Sequence, residues 1–197
     1  PSIKLNPLRR KQNMANIDAP FGFRPSGKVG GNPDNGALSQ FTILDGETTD
    51  MFQGDMVKFA SGGVVDAGAG DAGLMVFNGI QYDDPTTGKP TFKNQYDGVD
   101  LNKNIDCFVY DDPYQVYEAQ GDTDTALTQA MVGTYMDHEQ DHAGNTTTGI
   151  SGDEVDAGTS STTLTGVKFL GIAKKPGNSL GTNTVIRCFI ADAVHLN

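Results

Sequence analysis

The stretch Ile105-Asp106-Cys107-Phe108-Val109-Tyr110-Asp111-Asp112-Pro113-Tyr114-Gln115-Val116-Tyr117-Glu118-Ala119 sets two short apolar runs on either side of Asp-Asp-Pro. β-Branched and aromatic residues suit a pleated, half-buried surface. Aspartate side chains bond nearby backbone N–H groups and proline presets φ, so the junction suits a turn. The stretch reads strand, turn, strand. The same grammar recurs in both directions, predicting strands at Gln40–Leu44, Asp55–Ala60, Val64–Asp66, Leu74–Tyr82, Ile105–Tyr110, Tyr114–Ala119, Tyr135–His138, Val167–Lys174 and Thr184–Asp192. Ser61-Gly62-Gly63 and Asp83-Asp84-Pro85-Thr86-Thr87-Gly88 supply turn chemistry between them. Many short strands without a long helix predict a mainly β chain, an antiparallel sandwich or barrel with an extended N-terminal arm and long loops. Thr123–Val132 is the best helix candidate, with Ala126, Leu127, Ala130 and Met131 spaced along one face. Residues 139–163, rich in Asp, Gly, Ser and Thr, read as a long exposed loop or a small hairpin around Gly149–Val155.

The first 36 residues have a different character and are expected to form an arm and loop, leaving residues 37–197 as one β-rich domain. Met14-Ala15-Asn16 reads as a start of translation. Residues 1–13 are then either part of a longer or processed chain or sequence upstream of it. They carry Lys4, Arg9, Arg10 and Lys11 with no acid. Ala19-Pro20-Phe21-Gly22-Phe23-Arg24-Pro25 brackets two aromatic rings with prolines, an extended peptide whose rings need a pocket in this chain or in a neighbour. Ser26–Gly36 reads as a loop.

Composition narrows the function. Hydrophobic residues make up 37%, there are 25 glycines and tryptophan is absent, which predicts thin layers of sheet with many turns. The net charge is −11, and from Met14 onward 10 basic residues stand against 25 acidic ones, a net −15. A body this acidic repels a phosphate backbone, so no nucleic-acid partner is expected. No apolar run approaches the roughly 18 residues a membrane span needs, so no membrane association is expected either. Cys107 and Cys188 sit in strand-like runs as small buried thiols, their pairing left open, and two cysteines make no disulfide framework.

Little in the sequence points to a reaction. His138 and His142 would share a face only in a helix, which the acids and glycines around them disfavour, so no metal site is assigned. Asp83-Asp84 and Asp111-Asp112 each precede proline and start turns. Asp66–Gly73 lacks the spacing and terminal Glu of a calcium loop and reads as a hairpin connection. Gly177–Gly181 lacks the Lys-Ser/Thr pair of a phosphate loop. No enzyme activity and no cofactor are expected.

Met14-Ala15-Asn16 followed by Ala19–Pro25 resembles the opening of short β-rich virion structural proteins of tailed bacteriophages, many of cyanobacterial and marine hosts. Phe52-Gln53-Gly54-Asp55-Met56-Val57-Lys58, Phe77-Asn78-Gly79-Ile80, Asp84–Phe92, Val109–Pro113, Leu170-Gly171-Ile172-Ala173 and Pro176-Gly177-Asn178 extend the resemblance almost to the C-terminus. It implies a capsid decoration (cement) protein on the capsid exterior, made in the host cytoplasm, whose partners are the major capsid protein and other copies of itself. A trimer at a threefold or quasi-threefold position is one such arrangement. The expected partner-binding residues are Pro20, Phe21, Phe23 and Arg24, with Arg9 and Arg10. Phe21 and Phe23 would fill a groove on a neighbour, and Arg24 would pair with an acid; the alternative is that both rings close the end of this chain's own core. A different class of function, a receptor- or glycan-binding module of a tail or fibre, would present exposed aromatics, with Tyr114, Tyr117 and Tyr135 as candidates.

Overall fold

The computed structural model describes residues 16–34, 36–98 and 105–195. The chain is mainly β: antiparallel sheets pack as a sandwich, and no barrel closes. The first sheet contains, in spatial order, β1 (Arg24–Lys28), β10 (Gln115–Gln120), β14 (Val185–Ile190), β13 (Val167–Ile172), β11 (Tyr135–Glu139) and β12 (Glu154–Ser161). The second runs β2 (Ser39–Thr42), β9 (Asp106–Tyr110), β6 (Met75–Asp83), β4 (Met56–Ala60) and β5 (Gly63–Asp66), with β7 (Pro90–Lys93) also paired to β6. β3 (Asp50–Phe52) and β8 (Gln95–Asp97) form a separate ribbon.

Alternation along the strands builds two cores from one middle sheet. Met56 and Val76 face the first sheet, where Tyr117, Ala119, Val155, Ala157, Val167, Phe169, Ile186, Cys188 and Ile190 join them. Their neighbours Val57, Met75 and Phe77 point the other way, into a second cluster with Ile43, Ile80, Cys107 and Val109. The ribbon closes that cluster with Met51 and Tyr96. β6 is thus buried on both faces, as its near-continuous apolar run requires. The two ends of the second sheet curl toward each other and meet in one parallel bridge, Ile43 to Val64. Gly63 permits this approach, because a Cβ there would overlap the Leu44 backbone.

All nine predicted strands are present, their ends shifted by at most two residues. The Asp111-Asp112-Pro113 turn, however, does not fold its two strands onto each other: it carries the chain from the second sheet at β9 to the first at β10. The helix expected at Thr123–Val132 is absent. Thr128 is extended, and only Gln129–Met131 make one 3-10 turn. Three threonines in ten residues disfavour a helix. Leu127 instead drops into the core while its N–H bonds Gly181 O at 2.9 Å. Residues 139–163 are not one loop: β12 spans eight of them and pairs with β11. Only its Val155 and Ala157 face the core, so small polar residues hid the period. The expected arm of residues 1–36 also divides, since Arg24–Lys28 is a strand of the first sheet.

Candidate functional site

The N-terminal segment is built onto the body as a strap. The Asn16 amide donates to Ser179 O at 2.8 Å, Thr182 O at 2.9 Å and Thr184 Oγ1 at 3.2 Å, and Asn16 Oδ1 accepts from Ser179 N. Gln120 holds the next turn, accepting from Ala19 N at 2.9 Å and donating to Ile17 O at 2.8 Å. Gly22 then adopts φ +68°, and a Cβ there would overlap Ser151 and Gly54. Phe23 N donates to Gly54 O at 2.9 Å. β1 continues antiparallel to β10, with a bulge between Pro25 and Gly27.

The residues expected to bind a partner separate here. Phe23 is 1% exposed and lies in this chain's own core. Phe21, half-buried, stays at the surface, where the Arg24 guanidinium and the Lys175 ammonium lie 5.0 and 5.3 Å from its ring centre. Arg24 stands opposite Glu118 in the β1–β10 register, yet Glu118 is ion-paired to Lys175 at 2.6 Å. Arg187, exposed, is the other cross-strand neighbour of Glu118. Three cations thus gather around one carboxylate, a local positive patch on a chain of net charge −11. Cavities open on both sides of Phe21, one bounded by Phe77 and Tyr110 and one by Ile17 and Val185. Pro20 is half-buried; Arg9 and Arg10 lie outside the described residues. Sequence reading missed Lys175 and Arg187, which no local spacing connects to Phe21.

Carboxylates concentrate elsewhere. Asp55 and Asp153 are buried at the floor of a cleft that Asp66 and His142 also line. Burial pushes Asp55 up to about 7 and Asp153 well above the usual carboxylate range, and Asp66, also by burial, up to about 6. Both floor carboxylates are committed to backbone: Asp55 Oδ2 accepts Phe52 N at 2.6 Å and Asp153 Oδ2 accepts Met56 N at 2.9 Å. They tie the β3–β4 turn to the approach to β12. Asp122, Glu139 and Asp156 cluster nearby, burial raising Asp122 to about 6 and Glu139 to about 7.

The two histidines separate. His138 is buried in β11 with Nε2 2.8 Å from Ala67 O, and its burial lowers its pKa. His142 lies beyond the strand, Nδ1 2.9 Å from Glu154 Oε2. Asp84 and Asp112 cap turns as read, accepting from Thr86 and Thr87 N and from Tyr114 N. Asp71 accepts from Gly68 N within the β5–β6 connection, which is not the hairpin expected, because β4 lies between β5 and β6 in the sheet. Both cysteines are free and buried, one in each core, and burial pushes each thiol up to about 12. Of the three tyrosines considered for a binding platform, Tyr117 is buried in the core, Tyr135 is half-buried beneath Lys168, and Tyr114 is exposed.

No helix among the described residues is long and apolar enough to cross a membrane. The sequence matches no family model and no curated protein, and no solved structure matches the chain.

Proposed function

We propose that this chain is a tailed-phage capsid decoration protein that binds the outer face of the major capsid protein shell and stabilises it. The observation that carries the reading is the patch around Phe21: an aromatic ring flanked by Arg24 and Lys175, with Arg187 beside them, on an otherwise anionic protein. An acidic partner surface is repelled by the net charge of the body and attracted at this face, so electrostatics orients the encounter. The bracketing cavities can receive apolar side chains of a partner, and the ring gives the contact apolar area. Modest affinity per copy suffices when an array of identical sites and contacts between copies multiply it. The basic residues Arg9 and Arg10, upstream of the strap, add charge of the same sign.

The test uses bare capsids and co-sedimentation. Removing residues 1–25 would take Phe23 out of the core, so the informative changes are deletion of residues 1–13 and the substitutions Phe21→Ala, Arg24→Glu and Lys175→Glu. Each substitution is expected to cut occupancy, and the charge reversals to cut it most at low salt, where such pairs are least screened. Wild-type binding to capsids that all three substitutions leave unchanged would remove the patch from the interface. A particle reconstruction showing a few copies at the tail, rather than an icosahedral array, would favour a receptor- or glycan-binding module. For that module Phe92, exposed and 6.1 Å from the Phe108 ring, is the aromatic surface to probe.

A further inference from the structure

Glu154 opens β12 and is 1% exposed, yet its Oε1 has no hydrogen-bond partner. A buried carboxylate oxygen without a donor is costly, because it has lost water and gained nothing. Its other oxygen meets His142 Nδ1 at 2.9 Å, and the opposite side of that ring faces Asp18, with Nε2 3.8 Å from Oδ2. One donor atom from each of Asp18, His142 and Glu154 lies within 4.8 Å of the other two. The three come from separate parts of the chain: the N-terminal strap, the turn after β11, and the first residue of β12. Glu139, cross-strand partner of Glu154, and the neighbouring Asp122 and Asp156 add negative charge without a cation among them.

We infer that Asp18, His142 and Glu154 bind a divalent transition-metal ion, which fastens the N-terminal strap to the body of the fold. Two carboxylates and an imidazole are a donor set for zinc or a similar ion, whereas calcium prefers six to eight oxygens. Zinc needs donors at about 2.0–2.2 Å, and as the groups stand the ring offers Nδ1 to Glu154 and Nε2 to Asp18, so the ion binds one ring nitrogen only after Asp18 and the imidazole turn toward it; both are partly exposed and free to do so. Their exposure also leaves a coordination position open to water. An imidazolium bridging the two carboxylates is the competing arrangement. It satisfies Glu154 Oε2 and Asp18 Oδ2 but leaves Oε1 as it is, whereas a cation reaches both oxygens of the buried carboxylate. The inference is independent of the capsid reading, since it concerns how the strap is held and not what the surface meets.

Untagged protein, stripped with a chelator that is then removed, is titrated with zinc chloride at neutral pH by calorimetry and thermal melting. One ion per chain is expected, with a rise in melting temperature and slower amide exchange at residues 17–19. Glu154→Gln and His142→Ala should each weaken zinc binding by about tenfold or more, while Asp122→Asn in the adjacent cluster changes it little. His142 is on the surface, so its variant carries the test even if Glu154→Gln does not fold. Absence of saturable zinc uptake, uptake untouched by both variants, or tighter binding of calcium than of zinc would each overturn the inference.

Discussion

Phe21 and Phe23 stand two residues apart and have opposite surroundings, because Gly22 turns the backbone between them at φ +68°. Phe23→Ala should therefore cost about 3–5 kcal/mol in denaturant unfolding, as large-to-small changes in a packed core do. Phe21→Ala gives up a half-buried ring and its cation contacts, and should cost about 1 kcal/mol or less. Equal losses at the two positions would contradict the assignment of one ring to the core and one to the surface. The cysteines permit a second measurement. Buried thiols held up at about 12 are poor nucleophiles, so a thiol reagent at mildly alkaline pH should label neither Cys107 nor Cys188 until the chain unfolds.

At the scale of elements, the strap is held by polar contacts and β1 by ladder bonds. Asn16→Ala removes the amide that ties the strap to Ser179, Thr182 and Thr184. Faster amide exchange confined to residues 17–19, with little change in global stability, is the expected outcome. The strands that sequence reading found are those with large apolar side chains on at least one face, such as β6 and β9, where the period is visible. β12 was hidden because its inward positions are Val155 and Ala157 and its outward ones polar. β1 was hidden because Pro25 and Gly27, ordinary loop residues, are tolerated at a sheet edge with a bulge. Thr123–Val132 showed a helical spacing that tertiary contacts overrode, Leu127 being spent on the core and Thr128 on an extended conformation. The partner patch and the Asp18–His142–Glu154 group were hidden for another reason: each joins the N-terminal strap to residues more than 100 positions later, which meet it only when the sheet forms.

For the molecule as a whole, buried acids govern the pH response. Asp55 at about 7, and Asp66 and Asp122 at about 6, are all raised by burial above their ordinary 3.8. The folded state thus binds protons more readily than the unfolded chain, and this stabilisation is complete below about pH 4 and lost as pH rises through 6 to 7. Two effects act in the opposite direction. His138 is held neutral by burial, its contribution lost as pH falls below its ordinary 6.5, and Asp71, Asp84 and Asp112, lowered chiefly by hydrogen bonds, lose theirs below about 4. Melting temperature should therefore peak at about pH 4–5, fall as pH rises to about 7 and level off above it. Asp122→Asn should raise it most at pH 7–8 and least near pH 4; a profile flat across this range would mean that these acids are hydrated in the folded state.

The curl of the second sheet has a consequence for crowded conditions. Where Ile43 bridges Val64, the outermost strands of that sheet turn their spare amide and carbonyl groups toward each other, away from any visiting chain. The first sheet is protected by other means: proline and a bulge interrupt β1, and Gly121 and Asp122 lie along β12, with Asp122 N donating to Val155 O. A fold with so many β-strands would ordinarily risk zipping into fibrils when packed at high density. At the edges of these two sheet paths the groups that could seed such growth are occupied or deformed, which lowers the risk that neighbouring copies join strand to strand.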